Sequence, residues 1–179
     1  MSEWLASGAR LCDNTCMPWK LRPYQSRDFA ALHRLDQDCF PPGISYTKAG
    51  LRYFLNQNGA QCVVAEEGKR IVGFLVAEEN RPLAHIITLD VEEGQRKRGV
   101  GGALLAEMEG ILDARGVREI LLEAAVNNES AVAFWRTHGY RSEAILKRYY
   151  LGRVDAYEMR KVLPGAGEAG RPVEKSRER

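Results

Sequence analysis

A basic, glycine-bearing segment from Arg96 to Gly102 joins a predicted strand to a predicted helix. The first N–H groups of a helix have no partner within the helix, and the helix dipole favours negative charge there. Glycine lets a ligand approach the backbone closely, and Lys97 and Arg98 add positive charge. The segment is therefore predicted to bind a phosphate group. The alternative is a surface turn in which the glycines only bend the chain.

Two common nucleotide-binding motifs do not fit this segment. A dinucleotide-binding fingerprint needs a third glycine at the position of Leu104. A Walker loop needs Gly-Lys-Ser/Thr after four spacer residues, and the segment has no such sequence. A different phosphate-bearing ligand is therefore expected.

Few other side chains suit proton transfer. Glu123 closes a predicted strand, where a carboxylate facing a cleft could accept a proton without moving, unless it is only a solvated strand-end residue. Tyr149 and Tyr150 lie in a predicted hairpin, where paired aromatics are also common for packing. His85 could reach a substrate, although a core or edge position is more usual for a histidine. The three histidines form neither an HExxH motif nor a triad.

Hydrophobic periodicity and turn residues predict the element order βααβββαβαββ. The predicted helices begin near Ser26 or Asp28, at Thr47, just after Arg98 and at Asn127. Hairpins come first and a strand–helix–strand unit follows. The fold class is therefore α/β (α+β), with a single mixed, mostly antiparallel sheet of six to seven strands and helices on both faces.

The second half of the chain resembles the GNAT family of N-acetyltransferases. Arg96, Gly99 and Gly101 match the acetyl-CoA loop of that family, Q/R-x-x-G-x-G/A. A strand ending in Leu122-Glu123 follows. After it come an Asn, a small residue, an aromatic pair and a Gly-aromatic pair, which are Asn128, Ala131, Phe134-Trp135 and Gly139-Tyr140. The resemblance covers roughly residues 20–163, although the specific motifs begin only at Leu89.

Within GNAT proteins the chain is most similar to the Nα-acetyltransferases, especially the RimI-type enzymes that act on a ribosomal-protein alanine. Glu123 stands at the position of their catalytic glutamate, and Asn128 at that of their CoA-contacting asparagine. Arg148-Tyr149-Tyr150, Asp155-Ala156 and Met159 resemble their C-terminal hairpin, in which tyrosines line the peptide entrance.

This resemblance implies a role for each candidate residue. Glu123 would be the general base, acting through a water molecule, and a backbone N–H near Val91 would stabilise the oxyanion. Main-chain atoms of Leu89, Asp90 and Val91 are expected to contact the acetyl and pantetheine portion of acetyl-CoA. The pyrophosphate is expected to contact Arg96, Lys97, Arg98, Gly99, Val100, Gly101 and Gly102. Asn128 and Trp135 are expected to contact other parts of the cofactor.

Trp135 is the departure from the family pattern. RimI-type enzymes carry there a tyrosine that protonates the leaving thiolate, and an indole N–H is not a usable acid. Three alternatives follow. The thiolate leaves without a proton donor or takes its proton from water; or Tyr149, Tyr150 or Tyr140 supplies the proton; or the enzyme acts on a different substrate with weaker catalysis. Core packing is an equally good explanation for Trp135.

Composition excludes several function classes. The net charge of +2 argues against general nucleic-acid binding, and no apolar run reaches the length that spans a bilayer. The four cysteines, Cys12, Cys16, Cys39 and Cys62, form no CxxC pair and are expected to be free thiols, with no metal bound. The N-terminus lacks the apolar stretch of a signal peptide, so a cytoplasmic protein is expected.

The predicted organisation is an N-terminal appendage at residues 1–16, one domain at 17–163 and a disordered tail at 164–179, with the oligomeric state open. The leading hypothesis is an acetyl-CoA-dependent N-acetyltransferase of a protein or peptide N-terminus. The alternatives are acetylation of a small amine (a polyamine, an amino acid or an antibiotic) and an acetyl-CoA sensor without turnover. An acidic acceptor pocket would favour a polycation.

Overall fold

The computed structural model describes residues 17–164. The predicted appendage and all of the predicted tail except Pro164 lie outside these residues, as do Cys12 and Cys16. Seven strands are formed: β1 Lys20–Pro23, β2 Ala60–Glu67, β3 Arg70–Asn80, β4 Leu83–Val91, β5 Glu119–Ala125, β6 Arg141–Tyr150 and β7 Val154–Val162. Four α-helices accompany them: α1 Phe29–Cys39, α2 Lys48–Leu55, α3 Val100–Ala114 and α4 Glu129–Thr137.

The strands form one sheet in the order β1-β2-β3-β4-β5-β7-β6. Neighbouring strands are antiparallel except for β4 and β5, which are parallel and are joined through α3. The predicted element order and the predicted mixed, mostly antiparallel sheet are confirmed. The short two-residue turn at Gly68-Lys69 closes the β2–β3 hairpin, and Gly68 has a positive φ of 63° there.

Successive side chains of the central strands point to opposite faces of the sheet, which divides the core into two parts. Val63 and Ala65 face α3 and α4, whereas Val64 between them faces α1 and α2. Both faces of β3 are covered, which explains its unbroken buried run from Ile71 to Ala77. The helices on both faces therefore follow from strands that are apolar on both sides.

Helix ends largely agree with the local sequence signals. The Thr47 side chain accepts a hydrogen bond from the Gly50 N–H at the start of α2, as predicted. The cap of α4 differs from the prediction: Asn128, not Asn127, precedes the first helical residue, and its side chain accepts the Ala131 N–H. The reason is geometric, since a capping side chain must lie immediately before the first turn to reach the N–H of its third residue.

The parallel strands β4 and β5 pair only over their first three positions. Leu83, Ala84 and His85 of β4 lie beside residues 119–121, and in the described range 17–164 the two strands do not pair beyond His85 and Leu121. The carboxyl halves of the two strands therefore diverge and leave a gap, the β4–β5 gap, in the middle of the sheet. Among residues 17–164, no helix is long and apolar enough to cross a bilayer.

Candidate active site

Strand β4 directs main-chain groups into the β4–β5 gap, although the Val91 carbonyl already accepts a hydrogen bond from Arg96 Nε. The Glu92 N–H donates to the Val72 carbonyl (2.9 Å), which places this position in a hydrogen-bonded pair with β3. Because such pairs alternate along an antiparallel ladder, Asp90 bonds to β3, and the main-chain groups of Leu89 and Val91 point into the gap. Two of the three predicted β4 residues therefore line the gap with backbone donors and acceptors.

Asp90 faces away from the gap. Its side chain is buried on the α1 side and accepts a hydrogen bond from Thr88 Oγ1 (3.0 Å). Burial, with a smaller contribution from Asp36, raises the pKa of Asp90 to about 8. This carboxyl is therefore largely protonated at neutral pH, and neither its side chain nor its main chain is directed at a ligand in the gap.

The basic segment forms a tight turn beyond the carboxyl end of β4, at the open end of the gap. Arg96 Nε donates to the Val91 carbonyl (3.0 Å), and Arg98 Nη1 donates to Gln95 Oε1 (2.8 Å). Gly99 precedes α3 with a left-handed φ of 87°, which glycine adopts without strain. Among residues 17–164 no side chain caps α3, so the N–H groups of its first turn are available there for an anion. Lys97 is exposed beside them, whereas the side chain of Val100 is buried in the core.

Two glycines of α3 let helix α4 approach closely. A Cβ at Gly101 would lie 3.4 Å from the Phe134 ring and 3.7 Å from Val91, and a Cβ at Gly102 would lie 3.1 Å from His138 Nε2. The sequence suggested that these glycines make room for a ligand. In the structure they also make room for α4, which forms the opposite wall of the site.

The aromatic pair of α4 divides its roles. Trp135 is 7% exposed and packs edge-to-face against Tyr140 (ring centroids 5.2 Å apart) and Phe134 (5.0 Å apart) within the core. Phe134 is the ring beside Gly101 and Val91. Asn128 uses Oδ1 to accept the Ala131 N–H (3.1 Å) and the Ser130 hydroxyl (3.0 Å). Both residues predicted to contact CoA therefore have a structural role, Trp135 in the core and Asn128 as the cap of α4.

A histidine–glutamate pair lies where the β4–β5 gap closes. His85 Nε2 and Glu123 Oε2 are 2.8 Å apart, although 38 residues separate them in sequence. His85 is the last residue of β4 that pairs with β5, and Glu123 lies two residues beyond the last residue of β5 that pairs with β4. The hydrogen bond to Glu123 raises the pKa of His85, against the opposing effect of burial; Glu78 and Glu158 raise it further. Sequence reasoning missed this pair, because only the strand register brings the two side chains together.

Three tyrosines surround Glu123. The Tyr150 hydroxyl donates to the Glu123 carbonyl (3.1 Å), and burial, with the neighbouring Tyr149 and Glu123, raises its pKa to about 12. Burial and the Glu123 charge also raise the pKa of Tyr149. Tyr46, which sequence reasoning did not name, donates to the Ile87 carbonyl (3.4 Å). Its pKa is raised, chiefly by burial. The predicted candidates Glu123, Tyr149 and Tyr150 are therefore adjacent.

Tyr140 lies elsewhere. It is 1% exposed on the α3 side of the sheet and donates to Glu109 Oε1 (3.1 Å). Because its hydroxyl is buried and donated to Glu109, we regard Tyr149 and Tyr150, which lie beside Glu123, as the stronger tyrosine candidates.

Two loops meet beside these tyrosines. Residues 41–46, between α1 and α2, approach the turn between β6 and β7, where a Cβ at Gly43 would lie 3.0 Å from Leu151 Cδ2.

Among the described residues, the cysteines and the acidic side chains provide neither a disulfide nor a metal-binding group. Cys39 and Cys62 are free thiols, as expected. Within residues 17–164 no three His, Cys, Asp or Glu side chains form a metal-binding group.

Comparison with known proteins assigns a chemistry to this geometry. Residues 29–140 match the family described as acetyltransferase (GNAT). An uncharacterized N-acetyltransferase of Methanocaldococcus jannaschii is 30% identical over 147 residues, which are 82% of this chain and 93% of the relative. N-alpha-acetyltransferase 30 of Schizosaccharomyces pombe is 29% identical over 117 residues, which are 63% and 78% of the two chains.

Among solved structures, the ribosomal-protein-S18-alanine N-acetyltransferase of Escherichia coli has the same fold. It superposes with a TM-score of 0.76 at 20% identity, covering 86% of this chain and 99% of the other.

Proposed function

Because the chain belongs to the GNAT acetyltransferase family, we propose that it transfers the acetyl group of acetyl-CoA to the α-amine of a protein or peptide N-terminus. Acetyl-CoA-dependent acyl transfer itself follows from family membership. The finer proposal concerns the acceptor. Its support is the cluster of Tyr46, Tyr149 and Tyr150 around Glu123, together with the similarity to an N-alpha-acetyltransferase.

The chain has the groups that acetyl-CoA would need. The free N–H groups of the first turn of α3, with Arg96, Lys97 and Arg98 beside them, suit the pyrophosphate. The main-chain N–H and carbonyl of Leu89 and the N–H of Val91 suit the amides of the pantetheine arm, which would take the place of a strand partner. The Val91 carbonyl already accepts from Arg96 Nε. When bound, acetyl-CoA supplies an activated thioester.

The His85–Glu123 pair is proposed to remove the proton from the acceptor amine. Glu123 would accept the proton directly or through a water molecule, with His85 holding the carboxylate in place through the 2.8 Å contact. A backbone N–H at Val91 or Leu89 is proposed as the donor to the oxyanion, because both point into the gap where the thioester would lie.

Tyr149 is proposed to protonate the thiolate. A tyrosine hydroxyl keeps its proton at physiological pH, and burial, the Glu123 charge and a hydrogen bond to the Glu123 side chain raise the pKa of Tyr149 further. The Tyr150 hydroxyl is already donated to the Glu123 carbonyl, so Tyr150 would instead orient the strand end that carries the base. The indole of Trp135 packs in the core, which is consistent with another residue acting as the acid.

A polyamine is the second candidate acceptor, and one observation favours it. The carboxylates of Glu78 and Glu158 lie near enough to raise the pKa of His85 together with Glu123, so the closed end of the gap has acidic surroundings. A polycation would gain from such surroundings, whereas the aromatic cluster favours the uncharged flank of a peptide N-terminus.

Thiol release from acetyl-CoA against two acceptor panels tests the proposal. One panel contains short peptides that begin with Ala, Ser, Met or Gly, and the other contains polyamines, amino acids and aminoglycosides. Turnover restricted to peptides, and abolished when the peptide α-amine is blocked, would support the Nα-acetyltransferase. Turnover of small amines alone would replace the proposed acceptor, and CoA binding with no turnover in either panel would support the sensor.

A further inference from the structure

Strand β6 loses its regular pairing with β7 shortly before its end. Leu146 pairs with Ala156 and Tyr150 pairs with Val154, so residues 147–149 of β6 all lie opposite Asp155 alone. Two extra residues are therefore inserted into β6 at this point, one more than in a common β-bulge, so this is one of the special bulges. Bulges redirect side chains, and this one includes Tyr149 and ends at Tyr150.

The bulge allows two consecutive residues to reach the same group. In a regular strand, successive side chains point to opposite faces of the sheet. Here the rings of Tyr149 and Tyr150 contact each other edge-to-face at 5.0 Å, and both lie beside Glu123. Without the bulge, one of the two rings would be expected on the other face.

Asp155 makes the contacts that hold the bulge. Arg148 adopts a left-handed φ of 55°, a backbone conformation that is unfavourable for residues other than glycine. The Arg148 N–H, which has no ladder partner in the bulge, donates to Asp155 Oδ1 (2.8 Å). The Asp155 carbonyl accepts the Val126 N–H (3.0 Å), just beyond the end of β5. One residue thus links the bulge to the strand that carries Glu123.

We propose that Asp155 is a positioning residue that sets the place of Tyr149 and Tyr150 over the catalytic glutamate by binding the Arg148 N–H. This inference rests on the proposed function for its kinetic consequences, although the contact itself can be tested separately. The ion pair of Asp155 with Lys147 (2.8 Å) is of minor importance, because the Lys147 side chain is 75% exposed and surface ion pairs contribute little.

Three single variants separate the two contacts of Asp155. Asp155→Ala removes both, Asp155→Asn keeps an oxygen that can accept the Arg148 N–H, and Lys147→Met removes only the ion pair. The expected result is a loss of about ten- to hundredfold in kcat/KM for the peptide in Asp155→Ala, of the size caused by small misplacements in active sites. Asp155→Asn and Lys147→Met should stay within about threefold of the parent.

Amide hydrogen exchange and CoA affinity provide readouts that do not depend on turnover. In Asp155→Ala the Arg148 amide should exchange at least about tenfold faster, while the amides of β5 stay protected and the CoA dissociation constant stays unchanged. Equal exchange at Arg148 in Asp155→Ala and the parent would overturn the proposal. A parent protein that acetylates no peptide would instead overturn the proposed acceptor, and the exchange comparison would still decide the role of Asp155.

A double variant covers the case in which Asp155→Ala does not fold. Glycine adopts a positive φ without strain, so Arg148→Gly should lower the cost of the bulge. Asp155→Ala with Arg148→Gly should therefore fold and recover part of the lost kcat/KM. A folded double variant with no recovery, in which Arg148→Gly alone is fully active, would contradict the positioning role.

Discussion

Glu123 is the residue on which the proposed chemistry depends, since its carboxylate is the acceptor closest to His85 and both hairpin tyrosines lie beside it. Glu123→Gln keeps the size of the side chain but removes the base. We expect kcat to fall by about two to four orders of magnitude, the usual contribution of a general base, with the CoA dissociation constant unchanged.

Steady-state kinetics and calorimetry check this expectation. The matched control is Glu158→Gln, which changes the residue opposite Glu123 on β7. An equal loss in both variants would mean that the charge of the region matters rather than one base, and full activity in Glu123→Gln would remove it from the mechanism.

His85 should give the reaction a pH dependence. Its pKa is raised, chiefly by Glu123, so at acidic pH the pair already holds a proton and the imidazolium competes with the amine for the carboxylate. We therefore expect kcat/KM to increase as the pH rises through the raised pKa. His85→Gln should remove this step from a profile measured from about pH 5 to about pH 9, whereas His33→Gln on α1 should leave it in place.

The same shift predicts an effect on stability with the opposite trend. A pKa that is raised on folding stabilises the folded state below the unfolded value, and this contribution is lost as the pH rises through the folded pKa. Chemical denaturation of the parent and His85→Gln should therefore differ more at acidic pH than at alkaline pH. A difference that grows toward alkaline pH would contradict the assigned shift.

At the scale of elements, the start of α3 combines a backbone requirement with a binding role. Gly99 has a φ of 87°, and within the described part of the chain nothing lies within 4 Å of the position a Cβ would take, so an alanine there would be strained only by its backbone. Gly99→Ala should cost about 1–2 kcal/mol in the free energy of unfolding and weaken CoA binding by disturbing the first turn.

Gly110→Ala is the control within the same helix. Gly110 lies inside α3 in open space with no positive φ, so alanine should stabilise the protein by about 0.5–1 kcal/mol and leave CoA binding unchanged. Denaturant unfolding and calorimetry of both variants test the pair. A loss of CoA affinity in Gly110→Ala equal to that in Gly99→Ala would show that the first turn of α3 has no special role.

At the scale of the whole molecule, the β4–β5 gap divides the sheet into two parts that pair over only three positions. A ligand that fills the gap and binds both walls should stabilise the folded state. With CoA at 100 times its dissociation constant, the gain is about 2.7 kcal/mol, or about 5–10 °C in the melting temperature of a chain this size.

Adenosine 3′-phosphate 5′-diphosphate is the control ligand, because it keeps both phosphates of the CoA pyrophosphate and lacks the pantetheine arm. Hydrogen exchange should place the protection gained with CoA, but not with the control, along residues 86–91 of β4. Equal protection of that segment by both ligands would contradict the assignment of Leu89 and Val91 to the pantetheine arm.

How much the sequence predicts depends on the distance over which each feature is encoded. The strands, the helices, the Thr47 cap and the loop before α3 follow from periods of two or 3.6 residues and from local turn chemistry. The same local signals predict a mixed sheet covered on both faces, and the motifs from Leu89 onward identify the family.

Tertiary structure alone decides which side chains meet. His85 and Glu123 become neighbours through the parallel register of β4 and β5, and Tyr140 is separated from Tyr149 and Tyr150 because it packs on the α3 face. The two consecutive tyrosines reach one glutamate only because the bulge opposite Asp155 breaks the alternation of β6. Local patterns specify each element and its faces, but the contacts between elements depend on register and bulges, and these are set by packing among residues far apart in the chain.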